Sequence, residues 1–292
     1  TEVRRESERE ARGAAWARAK HILRELLEAQ GSAVRDVGWV NRIGDGLSRE
    51  IFGAEVELAD GSVGQYVVAI PRRDADPGLD DRTRRELRLL ARLRMRVFPF
   101  RIPEMVGAMP DGDRLALVRR YVRGVELDLR ADRQPSVRPW EIIGEVAAAI
   151  HGVPGAEVED VAIGFSTRRA HALDAIAVLS DLAPVEMQRA HEWAREHLPS
   201  EEPATLVHGD LLGQNILLAV DDPNHVIDWE YALRGDPAYD LAIVTRGARR
   251  PFQIAGGLRL LLDAYRAHGG REVTANDVHL HELCLIGEAY RE

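Results

Sequence analysis

The stretch that most limits what this chain can become is Val207-His208-Gly209-Asp210-Leu211-Leu212-Gly213-Gln214-Asn215, followed by Ile216 to Leu218 and then by Val226-Ile227-Asp228-Trp229-Glu230. It sets a carboxylate, an amide and a second carboxylate at close spacing, each beside a short apolar run. The runs Ile216 to Ala219 and His225 to Ile227 have the length and composition of strands. As a hairpin, they bring Asn215 and Asp228 together at one end.

These residue types suit phosphoryl transfer. A loose transition state leaves the protein to position the reactants and neutralise charge, which calls for one base near an attacking hydroxyl and oxygen ligands for magnesium. Asp210 is the candidate base, and Asn215 and Asp228 are the candidate Mg2+ ligands. His208, two residues before Asp210, is expected to brace the loop.

Downstream, Gly235-Asp236-Pro237-Ala238-Tyr239-Asp240-Leu241-Ala242 has the form of an N-cap followed by a first-turn proline, and predicts a helix through Val244. With this segment, His208-Gly209-Asp210, Asn215 and Ile227-Asp228-Trp229-Glu230 together resemble the aminoglycoside phosphotransferase family. These are antibiotic kinases, macrolide phosphotransferases among them, that share the protein-kinase-like fold.

The resemblance implies an α+β chain of two lobes. Residues 1–121 would form a nucleotide-binding lobe with an antiparallel sheet, and residues 122–292 a larger, mainly helical lobe for catalysis and acceptor binding. It implies ATP or GTP as phosphoryl donor and an aminoglycoside-type antibiotic as acceptor, with a macrolide, a small metabolite or a non-catalytic nucleotide-binding role as alternatives. Asp240 would tie down the catalytic loop, and backbone groups near Arg120 and Val122 would hold the base. Trp229, Glu230, Asp277 and Glu282 are candidate acceptor contacts.

At 292 residues the chain is long enough for two lobes. A formal net charge of −9 argues against a general nucleic-acid binder and suits a cationic small substrate. The single cysteine, Cys284, cannot form an internal disulfide, and no run approaches membrane-spanning length, so a cytoplasmic protein without a membrane partner is expected.

Before the central stretch, residues 8–30 carry Trp16, Ile22, Leu23, Leu26 and Leu27 near helical spacing, stopped by Gly31. From Val37 to Ala69 the pattern changes to strands, with Asp60-Gly61 as a hairpin turn. Gly44 to Ser48 lies between two strands, and Gly46 and Ser48 are candidate contacts to nucleotide phosphates. The family carries a Lys or an Arg on the third strand, whereas the aligned position in this chain is Ala69, with Ile70 the next possibility, and neither carries charge. Arg72 or Arg73, just past that strand, is the expected substitute, pairing with Glu86 on a helix from Arg82 to Arg96 whose stripe is Leu89, Leu90, Leu93 and Val97. Arg101 to Met109 and Arg114 to Val118 are expected as the last strands of the first lobe. Helices are expected at 139–151, 168–182, 184–197, from 257 onward and at 276–290.

Overall fold

The computed structural model describes residues 2–45, 48–72, 74–133, 136–220 and 222–291. Gly46 and Arg73, both assigned to the nucleotide above, lie outside the described residues. The chain divides into two compact units, residues 1–91 with 103–122, and residues 92–102 with 123–292.

Unit 1 is a sheet with one helix across its face. Helix α1 (Glu2–Ala29) is followed by β1 (Val34–Asp45), β2 (Arg49–Leu58) and β3 (Val63–Pro71). Helix α2 (Leu79–Leu93) precedes β4 (Met105–Asp111) and β5 (Arg114–Arg120). The strands form one antiparallel sheet in the order β1-β2-β3-β5-β4. The β2 to β3 turn sits at Asp60-Gly61, where Gly61 takes φ 82°, a conformation that costs glycine nothing. Alternation along the strands sends Phe52, Ala54, Val56, Val68, Ile70, Ala116 and Val118 to one face, where Ala19, Ile22, Leu23 and Leu27 of α1 cover them. Burial of each of the larger side chains contributes about 1.5–3 kcal/mol.

Three expectations need correction here. Trp16 is largely exposed, because α1 turns Ala19, Ile22 and Leu23 inward instead. Val97 is fully exposed, because α2 ends at Leu93 and the stripe ends with it. The strand predicted from Arg101 begins only at Met105; Arg101 belongs to unit 2, where it pairs with His225 and binds Asp222. Arg92 and Arg96 bond to Asp160 and Glu157, which explains why 92–102 groups with the second unit.

Unit 2 opens with β6 (Val125–Glu126) and α3 (Pro139–His151), followed by α4 (Arg168–Ser180) and α5 (Val185–Glu196). Next come four short strands, β7 (Thr205–Val207), β8 (Ile216–Leu218), β9 (His225–Val226) and β10 (Leu233–Gly235). Helices α6 (Ala238–Thr245), α7 (Gly257–Ala267) and α8 (Ala275–Arg291) complete the unit. Pro139 occupies the first turn of α3, where a missing N–H costs nothing. Helix α3 packs on α7, α6 on α8, and α4 on α5 and α8. Strands β6, β8 and β9 form one small sheet, and β7 pairs with β10. No helix among the described residues is long and apolar enough to cross a membrane.

Candidate active site

Strand β7 runs directly into His208-Gly209-Asp210, so the pairing of Val207 with Leu233 aims the turn that follows. Gly209 sits at φ 81°, and a Cβ there would meet the carbonyl oxygen of Tyr231 at 2.1 Å, so a side chain is excluded by both torsion and space. Two successive amides in this turn are held by one carboxylate: the N–H of His208 donates to Oδ2 of Asp240 at 2.7 Å and that of Gly209 to Oδ1 at 2.9 Å. Asp240 comes from the first turn of α6. Its own environment is closed, with His151 Nε2 at 2.9 Å and His151 Nδ1 in turn 3.0 Å from the Tyr265 hydroxyl. Burial pushes the Asp240 carboxyl up, but the hydrogen bonds from the His151 ring and from the main-chain N–H of His208 outweigh it and hold the group below the usual carboxylate range.

The imidazole of His208 is fully buried, which pushes its pKa down and keeps it neutral. Nε2 lies 3.0 Å from the carbonyl of Ile227, while Nδ1 accepts from the N–H of Asp210 at 3.3 Å. These two bonds are satisfied together by the neutral ring with its proton on Nε2. His208 thereby ties the turn to the chain entering Asp228.

Asp210 is half-buried. Asn215, in the 3₁₀ turn Gly213–Asn215, donates its side-chain N–H to the Asp210 main-chain oxygen at 2.8 Å and to Oδ2 at 3.0 Å. With the amide nitrogen so engaged, the carbonyl Oδ1 of Asn215 is its oxygen for a cation. The carbonyl of Asn215 also accepts from the N–H of Ile227 at 2.9 Å, and Ile216 faces Val226 across the ladder. Asn215 and Asp228 therefore sit at one end of the β8 to β9 hairpin. Asp228 is exposed and takes φ 68°, a torsion that costs a non-glycine residue about 1–3 kcal/mol and is retained chiefly where position matters.

Among the described residues no three His, Cys, Asp or Glu side chains gather as a metal site. Mg2+ bound through a nucleotide needs only one or two protein oxygens, the rest of its octahedron being phosphate and water. The amide oxygen and exposed carboxylate at this hairpin end fit that requirement.

Other sequence candidates fall elsewhere. Trp229 is buried against the His208 ring and donates Nε1–H to the carbonyl of Val226, so it packs the hairpin and does not present itself to an acceptor. Glu230 is half-buried. Asp277 accepts from the N–H and hydroxyl of Thr274 at 2.7 and 2.9 Å while Thr274 returns a bond to its N–H, a reciprocal cap at the start of α8. Glu282 accepts from the Thr245 hydroxyl and the Gly247 N–H and binds His279 at 2.8 Å, anchoring the chain beyond α6. Both carboxylates are engaged in structure. In unit 1, Ser48 is half-buried and its carbonyl accepts from the N–H of Arg72, whose side chain lines a pocket with Arg18 and Asp111 to Arg114. The N–H of Arg120 donates to Glu104 and its guanidinium lies 4.5 Å from the centre of the Tyr66 ring, while Val122 follows the end of the sheet.

Sequence reading missed several participants. Asp236 does not itself cap α6 at the N-cap position, which is Pro237, though its Oδ1 accepts from the Ala238 N–H at 3.2 Å. It sits in a buried cluster, with Arg168 Nε at 2.8 Å and His281 Nε2 at 3.1 Å, and its N–H donates to His171 Nδ1 at 3.0 Å. Burial raises the Asp236 carboxyl, and His281 and Arg168 override it, holding it down at about 2. Arg246, left-handed at φ 41°, places a guanidinium nitrogen 3.7 Å from Asp210. Nothing in the spacing of Arg168, His281 or Arg246 announces these long-range contacts.

A two-lobed α+β chain with a turn-held aspartate beside an amide and a second carboxylate is the arrangement of the kinase-like phosphotransferases. The sequence pattern of the phosphotransferase enzyme family matches residues 47–275, and the chain belongs to that family. Solved structures with the same fold include the macrolide 2'-phosphotransferase MphH from Brachybacterium faecium, 22% identical over 92% of each chain with a TM-score of 0.64. The ADP-bound aminoglycoside phosphotransferase APH(2'')-Ib is 17% identical over 93% of this chain and 88% of its own, with a TM-score of 0.58. A microcompartment-associated aminopropanol kinase is 18% identical over 88% of this chain and 84% of its own, at a TM-score of 0.55. Among curated proteins, Acyl-CoA dehydrogenase family member 10 of Mus musculus is 38% identical over 58 residues, 19% of this chain and only 5% of that protein's length. The chain is a member of this family, and the solved structures named differ in the acceptors that their names give.

Proposed function

We propose that the protein transfers the terminal phosphoryl group of ATP or GTP, in the presence of Mg2+, to a hydroxyl of a small molecule. The observation that carries this reading is the double bond of the Asn215 amide to Asp210 together with the bond from Ile227 to Asn215, which assembles Asp210, Asn215 and Asp228 at one hairpin end. Asp210 orients the acceptor hydroxyl and takes its proton. Asn215 Oδ1 and the Asp228 carboxylate would hold Mg2+, which when bound would supply neutralisation of phosphate charge. His208 and Asp240 keep the turn in register, so that Asp210 needs no reorganisation when the hydroxyl arrives. In this reading unit 1 serves the nucleotide and unit 2 serves chemistry and acceptor.

An aminoglycoside-type antibiotic is the first acceptor to test, on the strength of the family and the net charge. A second reading, a macrolide-type or small-metabolite acceptor with little positive charge, draws support from the engagement of Asp277 and Glu282 within the fold and from Arg246 beside Asp210. The experiment is incubation of the protein with ATP or GTP, Mg2+ and a panel of aminoglycosides, macrolides and amino alcohols, read by mass spectrometry. A product heavier by one phosphate is expected. Nucleotide binding without any modified acceptor would contradict the enzyme reading and favour a nucleotide-binding regulator.

A further inference from the structure

Among the described residues of unit 1, the buried polar side chains are Arg49, Thr83 and Glu86, at 7%, 0% and 6% exposure. Arg49 opens β2 and faces Pro71 of β3, as Ile51 faces Ala69. Residues opposite one another on antiparallel strands, and residues two apart on one strand, project from the same face. Arg49 and Ala69 therefore share a face, on a diagonal of roughly 7–8 Å that a long side chain spans. It is the face turned away from α1, whose partners are Phe52, Val68 and Ile70.

The guanidinium of Arg49 is positioned from α2. One of its terminal nitrogens donates to the Thr83 hydroxyl at 2.6 Å, and that hydroxyl donates to the carbonyl of Leu79 at 2.8 Å. Glu86 lies one turn beyond Thr83 on the same stripe of α2. Burying a cation and a carboxylate against an apolar sheet costs more than burying apolar residues of equal size, even where each has a partner. A triphosphate supplies a use: arginine stays charged when desolvated and its planar fork matches phosphate oxygens. Arg72 is otherwise placed, lining a pocket with Arg18 of α1 and the β4 to β5 turn.

We propose that Arg49, on the sheet face that it shares with Ala69, is the cation by which unit 1 holds the phosphates of the nucleotide, with Thr83 setting its position. The inference deepens the function proposed above and rests on it. It assigns to the second strand a charge that the third strand lacks.

Calorimetric titration of the full chain with Mg-ATP, Mg-GTP, adenosine and guanosine tests it. Arg49→Met should weaken the preferred triphosphate about tenfold or more while leaving its nucleoside unchanged. Adding Ala69→Lys to Arg49→Met should restore most of the loss, since the new ammonium enters from the neighbouring strand on the same face. Arg49→Gln, which keeps a donor for Thr83 without the charge, gives the same reading if the Met variant does not fold. Equal weakening of triphosphate and nucleoside, with no recovery on adding Lys, would reduce Arg49 to a structural link and overturn the proposal. So would triphosphate affinity equal to wild type in the Arg49 variants. Failure of the wild-type protein to bind either triphosphate would instead remove the underlying function, and Arg49's assignment with it.

Discussion

The two units are held together by different means. Unit 1 is an apolar sandwich of sheet and helix, with Phe52 and Tyr66 among its aliphatic side chains, in which Arg49, Thr83 and Glu86 are the buried charged or hydroxyl exceptions outside that cluster among the described residues. Unit 2 buries a connected set of charged and polar groups: His151 and Tyr265 behind Asp240, and Arg168, His171 and His281 around Asp236. The difference matches what each must do. A sheet that supports a ligand needs stiffness, which apolar packing provides, whereas a loop that aims a carboxylate must fix each backbone amide, which calls for buried acceptors in defined places.

The contrast can be broken by substitution. Asp236→Ala strips Arg168 and His281 of their shared partner inside unit 2, and should cost about 3–5 kcal/mol. Hydrogen exchange read by mass spectrometry should show the loss in α6 and α8, with the amides of β2 and β3 protected as before; equal loosening of β2 and β3 would end the distinction. Leu23→Ala, at the centre of the α1 contact, should cost about 3 kcal/mol and show the reverse pattern, with faster exchange in the sheet and unaltered protection at His208 and Gly209.

At neutral pH the least visible effect is one of titration. Burial and the neighbouring His281 push His171 down to about 3, while an unfolded histidine titrates near 6.5. The native state thus resists a proton that the unfolded chain accepts. Stability from this group is complete above pH 6.5 and is lost as pH falls toward 3, with a slope of at most about 1.4 kcal/mol per pH unit. Thermal melting of His171→Asn should show a flatter dependence in that window than wild type; an identical slope would assign the acid sensitivity elsewhere.

Local patterns were legible in the sequence. Helix α3 begins and ends where its apolar spacing and Pro139 place it, and the Asp60-Gly61 turn joins β2 to β3 as expected. The approach of Asn215 to Asp228 could be anticipated because the hairpin between them is short. What the sequence hid is non-local. Nothing in the spacing of Arg168, Asp236 and His281 says that α4, the start of α6 and α8 converge. Nor does the position of Glu282 announce that it accepts from the Thr245 hydroxyl and the Gly247 N–H. Arg49 was hidden by adjacency, since a strand residue next to a loop looks solvated until its register against β3 shows which face it takes.

The central claim is that Asp210 performs the chemistry while other residues bind the nucleotide. The direct measurement is phosphate transfer and nucleotide affinity in Asp210→Ala, with an acceptor that the wild-type protein modifies. Transfer should fall by about 10²–10⁴, with nucleotide affinity within twofold of wild type (about 0.4 kcal/mol). Transfer at the wild-type rate in this variant would contradict the account.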